Sequence, residues 1–331
     1  MKSILVTGGA GFIGAHLVER LLRDGKTVVV IDDLSTGSLK NLAAVKGHPR
    51  LRFISSPVSG CAELPALAAE AEFIFHLAAT VGVELVVKSA LHVLEAGFHE
   101  TEVLLHAALK HSTPLLLAST SEVYGKSTKA EFGEEDDLLI GPPGHSRWSY
   151  ACSKLTDEFL ALACAREKKL PVIITRLFNT VGPRQTGRYG MVLPRFIAAA
   201  KKNEPLRVFG DGAQTRCFGF VHDVVEALVR LQNTGCAALA GRKGDEVSRP
   251  SVFGEIFNIG GTEEVSMLKL AKLVVATLGS QSKIERVPYD QAYAPGFDDM
   301  RRRKPCVDKL ERFVQFRPQT PLRDIIRLTA G

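Results

Sequence analysis

Ser3-Ile-Leu-Val-Thr7-Gly8-Gly-Ala-Gly11-Phe-Ile-Gly14 is the stretch on which the fold turns. Residues 3–7 form a short apolar run, the signature of a buried parallel strand. Beyond the glycines, Phe12, Ile13, Leu17, Leu21 and Leu22 recur with helical period. Gly25 stands where a helix C-terminal glycine belongs, and Thr27-Val-Val-Val-Ile31 is a second strand that ends at Asp32. The pattern predicts a β-α-β unit with Gly8, Gly11 and Gly14 at its first turn. Without side chains, such a turn lets the backbone approach a pyrophosphate, whose charge suits the helix N-terminus. Asp32 is placed to bond the adenosine ribose hydroxyls and to repel a 2′-phosphate, so NAD is expected in preference to NADP. A plain strand-end acid is the alternative; strand before and helix after favour the fingerprint.

Working outward, residues 73–77, 114–118 and 171–175 read as further buried strands, with helical patterns over 85–110 and 150–168. This alternation predicts an α/β fold, a doubly wound parallel sheet of the Rossmann type. After about residue 180 the pattern loosens. Gly182-Pro183, Gly210-Asp-Gly212 and Gly260-Gly261 mark turns, and helical segments remain near 222–232 and 266–278. The expected organisation is an NAD-binding domain over 1–180 and a smaller substrate lobe, mainly 181–331, interleaved with it. Residues 233–252 read as a long polar loop.

Composition narrows the class. The 331 residues carry a net charge of +6, with 45% hydrophobic and 24% charged residues, an ordinary globular balance. No apolar stretch reaches the roughly 18 residues of a membrane helix, and the N-terminus is already strand and fingerprint, so no signal peptide and a cytoplasmic protein are expected. Cysteines 61, 152, 164, 217, 236 and 306 form no CxxC pair, which suggests neither a metal site nor a disulfide framework. The run Arg301-Arg-Arg-Lys304 could be a nucleic-acid patch; an anionic small-molecule substrate is the better fit, with no nucleic-acid partner expected.

Tyr150-Ala-Cys-Ser-Lys154 puts a phenol and an ammonium on one helix face. A phenol titrates near pH 10, and a neighbouring cation lowers that value, making a general base for a sugar hydroxyl. On spacing alone the pair is an ordinary helix surface; its company changes that.

Gly8-x-x-Gly11-x-x-Gly14, Asp32-Asp-Leu-Ser-Thr-Gly37, His76-Leu-Ala-Ala79, Ser119-Thr-Ser-Glu-Val-Tyr-Gly125, Tyr150-x-x-x-Lys154 and Arg176-Leu-Phe-Asn-Thr-Val-Gly-Pro-Arg184 run in order along the chain. Together they resemble the extended short-chain dehydrogenase/reductases of the NAD-dependent epimerase/dehydratase family that act on nucleotide sugars. The resemblance implies Tyr150 as base on the sugar C4 hydroxyl, Lys154 as the group that holds the nicotinamide ribose and tunes Tyr150, and Thr120 as a bond to the same hydroxyl. It implies NAD contacts from Gly8, Gly11, Phe12, Ile13, Gly14, Leu77, Ala78, Ala79, Tyr150 and Lys154, beside Asp32. Asn179 and Arg216 would hold the nucleotide diphosphate, the latter as a guanidinium fork, and Arg188 would join them on the UDP-sugar.

The family shares hydride removal from C4. The later steps depend on other groups. Glu122 stands where 4-epimerases usually carry a small or hydroxyl residue, and Ser121 replaces the Asp of the sugar 4,6-dehydratase Asp-Glu pair. Ser121-Glu122, with the segment from Gly296 to Pro305, resembles the UDP-glucuronate decarboxylases and places Arg303 on their catalytic arginine. A C4 ketone is β to the C6 carboxylate, and a β-keto acid loses CO₂ readily, to give UDP-xylose or the 4-keto-pentose. A UDP-hexose or UDP-hexuronate 4-epimerase is the alternative, and a silent NAD-binding scaffold the third. Ser55-Ser-Pro57 lacks the acid that often binds adenine, and Cys306 replaces an acid frequent after the Arg-Lys-Pro. The resemblance also implies a homodimer through helices 85–110 and 150–168.

Overall fold

The apolar runs fold into parallel strands flanked by helices on both faces. The computed structural model describes residues 2–79, 90–145, 148–187, 191–241, 251–288 and 300–331. Its central sheet comprises β1 (Ser3–Thr7), β2 (Val28–Asp32), β3 (Leu51–Ser55), β4 (Ala71–His76), β5 (Leu115–Thr120), β6 (Val172–Leu177) and β11 (Glu255–Ile259). The order is β3-β2-β1-β4-β5-β6-β11, all parallel. The doubly wound Rossmann sheet expected from the alternation is therefore present.

Burial on both faces explains why β1, β2, β4, β5 and β6 are largely apolar, whereas the edge strand β3, which carries Arg52, is only partly buried. Ile4 and Val6 of β1 pack with α1 (Phe12–Arg23), α6 (Val221–Gly241) and α8 (Asp308–Val314). Leu5, one residue out of phase, packs on the opposite face with α2 (Leu64–Glu70), α3 (Ala90–His111) and α4 (Trp148–Lys168). The chain crosses over between β3 and β4, so the connections at the C-terminal ends of β1 and β4 diverge and open a crevice, the usual ligand site of such sheets.

A second core lies in the C-terminal part, where α5 (Val192–Lys201), α7 (Met267–Leu278) and α9 (Leu322–Ala330) bury Phe196, Leu270 and Ile326. Short strands edge it: β7 (Thr180–Val181) pairs with β10 (Gly219–Phe220), β8 (Leu206–Phe209) pairs with β13 (Ile284–Val287), and β9 (Thr215–Cys217) runs antiparallel to β12 (Glu264–Ser266). Tyr124, Phe132, Trp148, Phe178 and Met300 form a small cluster of their own.

One expectation is corrected. Residues 233–241, read as the start of a polar loop, continue α6 to Gly241. Gly235 is buried because the Phe253 ring lies against it, only 2.7 Å from where a Cβ would stand, and Ala237 to Ala240 are ready helix formers. Tertiary packing thus outweighs the Asn233-Thr-Gly235 break. Residues 242–250 lie outside the described residues, as do 80–89, so α3 is described only from Ala90.

Candidate active site

The crevice opens into a cavity of about 1360 Å³ at the C-terminal ends of the strands. Its far end is built on the glycine turn. Gly8 has φ +71°, and a Cβ there would lie 2.7 Å from the backbone nitrogen of Ala78. On Gly14 it would meet the Gly8 carbonyl oxygen at 2.1 Å, so helix and strand pack this closely only without a side chain. Gly8, Gly11, Phe12, Ile13 and Gly14 all line the cavity, as do Leu77, Ala78 and Ala79 opposite.

Asp32, nearly buried at the end of β2, accepts from the amides of Ala10 at 2.9 Å and Leu34 at 2.8 Å. Burial pushes its carboxyl above the usual range, and the two amide bonds oppose that. One carboxylate thus fixes the glycine turn while it faces the cavity. A glycine cradle with an acid at the next strand end is the donor set that NAD requires, and the residues present fit it. Ser56, Pro57 and Val58 line the same end of the cavity, where the acid that often binds adenine is missing.

The near end gathers the sugar-chemistry candidates. Thr120 closes β5, Ser121 and Glu122 follow in a 3-10 turn, and Tyr150 comes from the first turn of α4. All four line the cavity, with Asn179, Arg216 and Arg303. Arg188 lies outside the described residues. Lys154 sits one turn below Tyr150, buried, with its ammonium 3.0 Å from Asp157 Oδ2.

Burial pushes the Tyr150 phenol well above its ordinary range, and the charges of Glu122 and Asp157 add to that, against a hydrogen bond with Thr120. Burial and the two carboxylates thus favour the neutral phenol.

Arg303 reaches the site from the segment 300–307. Its Nη1 donates to Glu122 Oε1 and its Nη2 to Asn179 Oδ1 at 2.9 Å, while its buried Nε donates to nothing among the described residues. Asn179 is in turn held by the Cys217 carbonyl at 2.9 Å. Within the basic run Arg302 turns away to Glu264 and Lys304 to Glu131, and only Arg303 of the run lines the cavity.

Beneath the site, Glu158 lies one turn beyond Lys154 on the same face of α4. It takes a bidentate bond from Arg176, Nε to Oε1 at 3.1 Å and Nη2 to Oε2 at 2.8 Å, and accepts from the Ser119 hydroxyl. Arg176 also donates to the Tyr124 hydroxyl at 3.0 Å, and that hydroxyl donates to Asn258 at 2.7 Å. Asp157 and Glu158 escaped the sequence reading, although their spacing from Lys154 puts them on its helix face.

His76, at the end of β4, bridges Thr7 at 2.7 Å and Thr101 at 3.2 Å, while His16 on α1 meets Arg184 and His222. Burial holds His16 down to about 4 and, with the Lys154 charge, His76 to about 3. Both are neutral folded or unfolded above about pH 6.5. Below that the unfolded chain binds protons that the folded one refuses, so stability falls with pH by about 1.4 kcal/mol per unit for each histidine. Urea midpoints are expected to drop between about pH 6.5 and about pH 5, with a shallower drop in His76→Asn. Equal slopes in the two proteins would contradict the assignment.

Comparison with known proteins gives the family. The profile of the NAD dependent epimerase/dehydratase family matches residues 4–260. The UDP-N-acetyl-alpha-D-glucosaminuronate decarboxylase of Bacillus cytotoxicus is 41% identical over 318 residues, 96% of this chain and 93% of that protein. The UDP-glucuronic acid decarboxylase 1 of Danio rerio is 32% identical over 99% of this chain and 72% of its own. Among solved structures, the UDP-glucuronic acid 4-epimerase of Bacillus cereus, in complex with UDP-glucuronic acid and NAD, superposes with a TM-score of 0.83 at 27% identity, covering 99% of this chain and 98% of that one.

Proposed function

The chain belongs to the NAD dependent epimerase/dehydratase family, with NAD as its cofactor and nucleotide sugars as its substrates, and from that premise we propose that it decarboxylates a UDP-hexuronate. The observation behind this reading is the meeting of Arg303 with Glu122 and Asn179 at the cavity that holds Tyr150 and Thr120. The two decarboxylase relatives support it, since the sugars in their names both bear a C6 carboxylate and differ at C2.

Bound NAD⁺ supplies a hydride acceptor and a cationic ring. Tyr150 removes the proton of the C4 hydroxyl, and Thr120 bonds the same oxygen. The resulting ketone is β to the carboxylate. As the C5–C6 bond breaks, its electron pair passes into a C4–C5 enolate and CO₂ departs. Arg303, drawn from Glu122 toward the substrate, holds the carboxylate or the C4 oxygen, and its Nε, unpaired among the described residues, adds a donor. A proton then reaches C5 from Tyr150 or with the help of Glu122. Hydride return would give a UDP-pentose, and early release the 4-keto sugar.

The pairing of Arg303 with Glu122 suits this role. It keeps the guanidinium matched until a competing anion arrives, and a neutral hexose offers none. The second reading is a UDP-hexuronate 4-epimerase, favoured by the match to the Bacillus cereus enzyme. Given NAD⁺ with UDP-glucuronate or UDP-N-acetylglucosaminuronate, the protein is expected to form a nucleotide sugar one carbon shorter. A C4 epimer with its carboxylate intact would favour the second reading. The proposal includes pairing of two copies through α3 and α4, whose outer faces leave Leu91 and Phe159 exposed.

A further inference from the structure

Arg303 is the middle of a strap with no helix or strand of its own, and its placement depends on what holds the residues beside it. On its C-terminal side the strap is stitched to residue 132: the Phe132 amide donates to the Lys304 carbonyl and the Cys306 amide to the Phe132 carbonyl, both at 2.9 Å. On its N-terminal side the Thr215 amide donates to the Arg301 carbonyl at 2.9 Å. Arg302 then forms a fork on Glu264, Nε to Oε1 at 2.6 Å and Nη2 to Oε2 at 2.7 Å. Glu264 Oε1 also accepts from the Thr215 hydroxyl at 2.5 Å.

Glu264 therefore touches two segments at once. One is the strap, whose next residue is Arg303. The other is β9, where Thr215 precedes Arg216, which lines the same cavity. β12 lies antiparallel to β9 with Glu264 opposite Cys217 and Ser266 opposite Thr215, so the ladder fixes the backbone that carries this carboxylate beside β9.

We propose that Glu264 is a positioning residue that clamps the strap to β9 and so sets Arg303 and Arg216 at a fixed separation along the substrate. This rests on the decarboxylase reading, in which Arg303 acts on the sugar and Arg216 on the diphosphate. An exposed ion pair contributes little stability in general, but a bidentate fork with a third partner restricts geometry. Geometry is what this site needs: a misplacement of about 1 Å in a reacting group costs roughly 10²-fold in rate.

The test uses the full chain with NAD⁺. Arg302→Leu changes a half-exposed side chain and leaves the melting midpoint near that of the wild type. Its kcat on a UDP-hexuronate is expected to fall tenfold or more, with the dissociation constant for UDP changed less than twofold, because Thr215 keeps its bond to Glu264. Glu264→Ala should lose the same turnover and in addition bind UDP several-fold more weakly. Glu264→Gln, which keeps an acceptor for Arg302, should recover part of the rate, and the double variant Arg302→Leu/Glu264→Ala should be no slower than Glu264→Ala. A kcat within twofold of wild type in Arg302→Leu, or losses that multiply in the double variant, would overturn the proposal. Should Glu264→Ala not fold, Arg302→Leu decides alone. If wild-type protein releases no CO₂ from any UDP-hexuronate, the decarboxylase reading fails, and amide exchange then tests the clamp by itself. Exchange of the Thr215 amide at least tenfold faster in Arg302→Leu supports it, and unchanged protection overturns it.

Discussion

Tyr150→Phe is expected to lower kcat by roughly 10²–10⁴-fold, the range lost with a general base, while NAD⁺ binds almost as before. The substitution removes one oxygen and its hydrogen bond with Thr120 and leaves the ring in place. The NAD cradle lies elsewhere, in the Gly8–Gly14 turn and Asp32. The size of the loss follows from how the phenol is held. Burial, Glu122 and Asp157 all favour its neutral form, so it gives up its proton only against a cation. Steady-state turnover with a UDP-hexuronate, beside NAD⁺ binding by calorimetry, measures the split. A variant that keeps more than a tenth of the wild-type rate would remove Tyr150 from the role of base.

Arg176→Met is expected to lower the free energy of unfolding by about 3–5 kcal/mol, the usual effect of stripping one partner from a buried ion pair. Arg176 and Glu158 are each about 3% exposed, and burial of Glu158 without its partner leaves a charge in the interior. The loss would spread, because Arg176 also holds the Tyr124 hydroxyl and the Glu134 carbonyl, and Glu158 holds Ser119 next to Thr120. Through these bonds α4, β5 and β6 meet directly under Tyr150. The double variant Arg176→Met/Glu158→Leu should recover much of the stability, since an apolar pair of similar volume avoids the desolvation of two charges. Urea unfolding followed by circular dichroism reads both numbers. A loss below about 1 kcal/mol in the single variant would show that the pair is not the anchor of α4.

Five strands of the sheet, β1, β2, β4, β5 and β6, were legible because each is an apolar run largely buried on both faces, and glycines and an acid at fixed spacing mark the first crossover. The edge strands β3 and β11 carry Arg52, Glu255 and Asn258 and are only partly buried, so no such run marks them. The NAD end of the cavity follows from the same residues. Lys154 was legible as a neighbour of Tyr150, but its charge partner was not read, although Asp157 stands three residues on, on one face of the helix. Residues 233–241 misled because Asn, Thr and Gly are weak helix formers, and the contact that overrides them comes from Phe253, distant in sequence. Arg303 shows the limit of local pattern most clearly. Three arginines and a lysine in a row look alike, and extended backbone sends neighbours to opposite sides. The bond that selects Arg303 spans 181 residues, to Glu122, so no periodicity could report it.

The central claim is that this cavity removes C6 from a UDP-hexuronate. The most direct measurement supplies NAD⁺ and a UDP-hexuronate isotopically labelled at C6, then follows the label. The account predicts labelled CO₂ in step with an unlabelled UDP-pentose or its 4-keto form. Label retained in a UDP-hexuronate of inverted C4 configuration would contradict it.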